Sequence, residues 1–192
     1  MKKRKLRRGR IFGAFLIILL VVFVVGILVK VSYYSGLKAF YPVRYSEYVD
    51  KYCEEYKVDK ALMYSIIKNE SGFDPNAKSS VDAVGLTQLM PETIEWLSGK
   101  TGENLNSEAL YDPEISIKYG AYLISILQNE FEETETLIAA YHAGIGEVGR
   151  WLHNPEYTDD GKTLKKIPFD DTRLYVKRVT KSIEIYNKIY NF

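Results

Sequence analysis

Ile66-Ile67-Lys68-Asn69-Glu70-Ser71-Gly72-Phe73-Asp74-Pro75 reads as the end of a helix and its break. Upstream, Asp59 is placed to cap that helix, and Leu62, Ile66 and Ile67 share one face at helical spacing. Gly72 and Pro75 stop it. The last helical residue is then a carboxylate, Glu70. Most glutamates are solvated surface charges. One that follows two isoleucines at a helix end is open to desolvation, which raises its pKa and keeps it protonated near neutral pH. A carboxyl that gives up a proton and then retrieves it is the general acid of glycosidic-bond cleavage. No other acidic residue of the chain has comparable surroundings.

On both sides of this stretch the chain reads as helical wherever it is periodic. Ser46 is placed to cap a helix through Tyr56. Pro91 suits the first turn of a helix through Leu97, with Glu92 near its positive end. Asp112-Pro113 repeats that start signal for a long helix to about Asn129. Thr134 to His142 is another, ended by Ala143-Gly144, and Gly146 to Leu152 a short one. His153 to Pro168 is polar and reads as a surface loop or flap. Asp171 is placed to cap a terminal helix whose apolar face runs Tyr175, Val179, Ile183, Tyr186 and Tyr190. No segment alternates as a strand does, so the fold class is all-α.

The N-terminus is a different material. Residues 2–10 hold Lys2, Lys3, Arg4, Lys5, Arg7, Arg8 and Arg10 without an acid, and Ile11 to Val29 has no charged residue. As a helix, that run is about 28 Å long, close to the ~30 Å hydrocarbon core of a bilayer. A cleaved signal has an apolar stretch of only ~7–15 residues and a small-residue cleavage site; Val29-Lys30-Val31-Ser32 offers no such site. The expected organisation is a basic cytoplasmic tail at 1–10, a transmembrane anchor at 11–29, a stalk at 30–45 and one globular domain at 46–192. The basic flank stays in the cytoplasm, which sends the domain outside.

The formal charge of +1 conceals this division. Setting aside the seven basic residues of the tail and Lys30 leaves 18 Lys and Arg against 25 Asp and Glu. An acidic domain argues against nucleic-acid binding. The single cysteine, Cys53, forms no internal disulfide and lies among Val49, Tyr52 and Tyr56 at helical spacing, as a buried apolar Cys does. Two His and one Cys make no zinc pattern, and there is no phosphate-binding glycine motif, so neither metal nor organic cofactor is expected.

Two downstream segments add to Glu70. In Gly85-Leu86-Thr87-Gln88-Leu89-Met90-Pro91, Gly85 permits close backbone approach, and Gln88 offers amide donors and a carbonyl acceptor suited to sugar hydroxyls and N-acetyl groups. A turn plus a helix start explains Gly85 and Pro91 equally well but leaves Gln88 unexplained. Ala140-Tyr141-His142-Ala143-Gly144 follows far downstream.

These segments resemble the motifs of the lysozyme-like lytic transglycosylases of the soluble type. Glu70-Ser71-Gly72-Phe73-Asp74-Pro75 resembles the catalytic motif. Gly85 to Pro91 resembles the second, usually Gly-Leu-Met-Gln. Ala140 to Gly144 resembles the third, usually Ala-Tyr-Asn-Ala-Gly. Ile167 to Val176 resembles the fourth, usually Glu-Thr-Arg-x-Tyr-Val. The resemblance covers roughly residues 46–190.

It implies a mostly α, lysozyme-like fold and cleavage of the β-1,4 bond between N-acetylmuramic acid and N-acetylglucosamine in peptidoglycan. Glu70 is then acid and afterwards base, the substrate's own N-acetyl oxygen replaces an enzyme nucleophile, and the muramyl 6-hydroxyl closes a 1,6-anhydro ring. By motif position, Ser79 assists the N-acetyl group; Gln88, Met90 and Tyr141 line the cleft; and Tyr141 orients Glu70. The expected partners are glycan strands and the membrane; no partner machinery is identified.

Four positions depart from the pattern: Thr87 for Met, His142 for Asn, Asp171 for Glu, and Asp82 where Gly is common. Thr87 and Asp82 are read as tuning loop packing. His142 either caps its helix or titrates in the site. Asp171 lines the site by motif position, or only caps the last helix. Two other readings stay open. One is a hydrolytic muramidase of related fold, with Asp74, Asp82 or Asp171 positioning a water. The other is a catalytically idle peptidoglycan-binding scaffold protein, against which the retention of Glu70, Ser79, Gln88 and Tyr141 speaks.

Overall fold

The computed structural model describes residues 2–192, with side chains from Phe15 onward. Met1 and the side chains of the basic tail lie outside the described residues. The chain divides into two compact units, one ending at Pro42 and one running Val43–Phe192.

The first unit is one helix, α1 (Lys2–Phe40). The stretch expected to be a stalk is thus helical as far as Phe40, and the chain turns irregular only from Tyr41. Phe15–Phe40 is long and apolar enough to cross a membrane. The side chains from Phe15 to Val29 are all exposed, and an all-apolar surface satisfied internally by helical hydrogen bonds is what hydrocarbon solvates.

The second unit is built from α2 (Ser46–Tyr56), α3 (Lys60–Glu70), α4 (Pro91–Thr101), a 3₁₀ turn (Ser107–Tyr111), α5 (Pro113–Glu130), α6 (Thr134–Ala143), α7 (Ile145–Leu152) and α8 (Asp170–Tyr190). Isolated bridges, Lys78 with Val84, Val84 with Leu89 and Thr158 with Leu164, are the only β pairings among the described residues.

Local chemistry accounts for most helix starts. Asp59 accepts from the Leu62 N–H at 2.8 Å, and Asp112 accepts from those of Glu114 and Ile115 at 2.8 and 3.1 Å. Pro91 and Pro113 occupy first turns, where a missing N–H costs nothing. Two expected caps differ. Ser46 is the first residue of α2 rather than its cap, which is Tyr45 in the left-handed region at φ 56°. Asp171 is the second residue of α8; the capping position belongs to Phe169, and no side chain caps that helix. Helix α4 runs past Leu97 to Thr101 because Gly102, at φ 80°, is where the chain turns left-handed.

Helix α8 packs against α3 and α6, while α5 packs against α2, α4 and α6. The buried stripe of α8 includes Thr172, Tyr175, Val179, Tyr186 and Ile189. Ile183 and Tyr190, expected on that face, are half-buried at its edge. Leu86, Ile94, Leu97, Leu110, Ile117 and Tyr119 are fully buried, and each such aliphatic side chain contributes about 1.5–3 kcal/mol. Cys53 is buried, as its spacing predicts, and burial pushes its thiol up to about 12.

Candidate active site

Glu70 is the last residue of α3, and two contacts fix that helix end on α8. Asn69 donates to the Ser65 carbonyl at 2.7 Å and to Ser182 Oγ at 3.1 Å. One residue on, the Tyr175 hydroxyl donates to Glu70 Oε1 at 2.5 Å. Burial raises the Glu70 carboxyl to about 7; the Tyr175 hydrogen bond and the Arg178 charge oppose that rise without cancelling it. Glu70 therefore titrates near neutrality, and both its protonated and ionised forms are accessible there.

The turn after Glu70 is built from backbone conformations that few residues take. Gly72 and Phe73 lie at φ 60° and 69°. Phe73 is held there by its burial against Tyr64, with ring centroids 6.3 Å apart, and by its N–H donating to Ser71 Oγ at 3.1 Å. The Ser71 hydroxyl in turn donates to the Leu86 carbonyl at 2.9 Å, which ties the first motif to the second. Asp74 accepts from the Asn76 N–H at 2.9 Å, so its carboxylate serves the turn.

The second motif closes a tight loop on this turn. The Gly85 N–H donates to the Ala77 carbonyl at 2.9 Å and the Val84 N–H to the Leu89 carbonyl at 3.0 Å. A Cβ on Gly85 would stand 2.1 Å from the Leu110 carbonyl oxygen, and φ is 78°; only glycine fits. Gln88, itself at φ 48°, spends both amide hydrogens on the Ala77 and Gly85 carbonyls at 3.0 and 2.9 Å. Its role is thereby narrowed: the amide nitrogen pins the loop, and the carbonyl oxygen is what remains for a ligand. Ser79 Oγ accepts from the Val81 and Ala83 N–H groups at 3.3 and 3.0 Å, which leaves its hydroxyl hydrogen to donate. Met90 is half-buried at the start of α4. Asp82 is exposed and pairs with Lys78 at 2.9 Å.

Thr87 is packed rather than catalytic. Fully buried, it donates its hydroxyl to the Ser116 carbonyl at 2.9 Å and its N–H to Ser116 Oγ at 3.2 Å, and fills the space over Gly120. Its own carbonyl accepts from the Tyr141 hydroxyl at 2.8 Å.

That last bond corrects one expectation. Tyr141 stands close enough to Glu70 for the carboxylate's charge to raise its phenol, after burial, but its hydroxyl is committed to Thr87. The hydrogen bond that orients Glu70 comes from Tyr175 instead. By sequence, Tyr175 belongs to the fourth motif and to the apolar face of α8, and neither assigns it to Glu70. The available signal is chemical: a tyrosine on a buried stripe needs a partner for its hydroxyl.

His142 stacks on Tyr175, centroids 4.4 Å apart, and its Nδ1 shares a hydrogen bond with Thr172 Oγ1 at 3.1 Å. Burial lowers its pKa below the ordinary imidazole value; the nearby Asp171 carboxylate opposes this and Arg178 adds to it. Asp171 is exposed and accepts from the Thr172 N–H at 2.8 Å. Glu70, Tyr175, His142 and Tyr141 thus meet, with Thr87 beneath, while Gln88 and Ser79 belong to the adjoining loop. Among the described residues no group of His, Cys, Asp and Glu is arranged to hold a metal.

The transglycosylase SLT domain family model matches residues 47–164. Among curated relatives, the putative soluble lytic murein transglycosylase of Haemophilus influenzae is 32% identical over an alignment of 161 residues that covers 78% of this chain and 26% of that protein. The membrane-bound lytic murein transglycosylase C of Yersinia pestis is 30% identical over an alignment of 169 residues that covers 76% of this chain and 47% of that one. The crystal structure of the 70 kDa soluble lytic transglycosylase of Escherichia coli aligns with a TM-score of 0.69 at 30% identity, over 79% of this chain and 25% of that one. The first curated relatives are therefore about four times longer than the part this chain matches.

Proposed function

The chain belongs to the transglycosylase SLT domain family, and we propose that it is a membrane-anchored lytic transglycosylase acting on peptidoglycan glycan strands. The bond cut is the β-1,4 link from N-acetylmuramic acid to N-acetylglucosamine. Protonated Glu70 donates to the glycosidic oxygen as the C1–O bond breaks. The N-acetyl carbonyl oxygen of the muramyl residue bonds to C1 and gives an oxazolinium-like intermediate. Glu70, now a carboxylate, takes the proton of the muramyl 6-hydroxyl, and O6 displaces the N-acetyl oxygen at C1. Two products form and no water is consumed. Tyr175 holds the carboxylate through both steps, Ser79 and the Gln88 carbonyl serve the N-acetyl and hydroxyl groups, and Met90 and Tyr141 line the cleft.

The observation that carries this reading is a single buried carboxyl raised to about 7 at the end of α3. The Tyr175 hydrogen bond and the Arg178 charge draw it down without cancelling the effect of burial. A two-carboxylate hydrolase needs a second acid about 5–9.5 Å away, and Asp74 and Asp82 are committed to a turn and an ion pair. The anchor fits residues 11–29, with the tail at 1–10 in the cytoplasm and the domain at 46–192 outside, joined through 30–45.

Glu70→Gln tests the assignment. Gln preserves size and still accepts from Tyr175, but cycles no proton. Cleavage of purified cell wall should fall at least ~10²–10⁴-fold with the far-UV spectrum unchanged; activity within about threefold of wild type would remove Glu70 from the chemistry.

A further inference from the structure

We infer that Trp96 is a stacking platform for a sugar ring of the glycan strand, displaced along the strand from the bond cut at Glu70. This rests on the glycan-cleaving reading and extends it to a residue outside the four motifs.

Helix α4 buries Ile94, Leu97 and Ser98 completely, so its inner face is already occupied. Trp96 lies off that face and keeps 45% of its surface exposed; Ile145, at the start of α7, keeps 41%. Scattered exposed apolar residues need no explanation. These two are not scattered: they line one cavity of about 290 Å³ together with Glu92, Thr93 and Tyr141. Tyr141 links this cavity to the site: it is part of the lining, and the Glu70 charge reaches its phenol. The volume sits at the lower edge of the ~300–1,000 Å³ range of small-molecule sites, which suits one ring rather than several.

The lining has the chemistry of a pyranose partner. An indole and an isoleucine meet the C–H face of the ring, while a carboxylate and a hydroxyl, on Glu92 and Thr93, meet its hydroxyls. The Lys100 ammonium lies 5.0 Å from the Trp96 ring centroid, a cation–π contact that holds the indole in place.

The test is calorimetric titration of the full chain in detergent, carrying Glu70→Gln to prevent turnover, with peptide-free glycan strands. Adding Trp96→Ala should weaken strand binding roughly tenfold, the order of a truncated aromatic hot spot, and Trp96→Phe should recover most of it. On the active background, Trp96→Ala should raise KM by a similar factor with kcat within about twofold, the mark of binding made equally in ground and transition states. Because Trp96 is off the core, the unfolding midpoint should stay within a few degrees. Unchanged binding and KM, with wild-type cleavage intact, would overturn the platform alone. A chain that neither binds nor cleaves strands would overturn the proposed function as well.

Discussion

At the scale of single residues the Glu70–Tyr175 pair governs the proposed chemistry. A general acid must be protonated, so activity governed by Glu70 should decline as pH rises through about 7. The Tyr175 hydroxyl donates to the carboxyl and so favours its ionised form, which lowers the pKa. Tyr175→Phe removes that donor. The alkaline limb of kcat/KM should therefore move to higher pH, while kcat falls about tenfold or more because the carboxyl is less firmly placed. A limb that stays put or moves to lower pH would show that the hydrogen bond does not act on the catalytic ionisation. Glu70 itself was legible in the sequence because its setting is local: two isoleucines before it and a glycine after. Its partner was not, because Tyr175 lies 105 residues further on, and the order of motifs does not say which of two tyrosines reaches the carboxyl. Gln88 was legible as polar and unexplained. That its amide hydrogens serve the loop depended on the Ala77 and Gly85 carbonyls, whose direction no sequence pattern carries.

At the scale of elements, the loop bearing Gln88 is held against α5 by a fit between Thr87 and Gly120. A Cβ on Gly120 would meet Thr87 Cγ2 at 2.5 Å, and Thr87 is pinned by Ser116. Gly120→Ala should cost about 1–3 kcal/mol despite the better helix propensity of Ala. Adding Thr87→Ser removes the clashing methyl and keeps the hydroxyl, and should restore part of the loss. Denaturant unfolding of the two single variants and the double variant gives the coupling; simple additivity would mean that the two residues do not share that space. The sequence assigns Thr87 to loop packing, and the Ser116–Gly120 surface is what it packs against. Helix starts signalled by Asp59, Pro91 and Asp112-Pro113 were legible because a cap is settled within one turn. The 3₁₀ turn at Ser107–Tyr111 was not: five residues are too few to show a period, and only tertiary packing reveals that Leu110 is fully buried.

At the scale of the whole molecule, composition alone divides a basic, apolar N-terminus from an acidic domain; the fold has two compact units, one ending at Pro42 and one beginning at Val43. The extent of α1 to Phe40 was not, since polar Ser32 and the tyrosines that follow are compatible with either helix or stalk. The charge asymmetry gives a topological prediction. Protease added to intact protoplasts should digest the domain and leave an epitope fused to the N-terminus protected; a protected domain would reverse the orientation. In the proposed chemistry Glu70 is the one catalytic carboxyl and the bound muramyl 6-hydroxyl is the nucleophile, with no entropy of capture to overcome. Digestion of purified peptidoglycan in heavy-oxygen water, read by mass spectrometry, addresses this directly. Unlabelled 1,6-anhydromuramyl ends, one water lighter than reducing sugars, are the predicted product; reducing ends carrying the heavy oxygen as the main product would contradict it and identify the enzyme as a hydrolase.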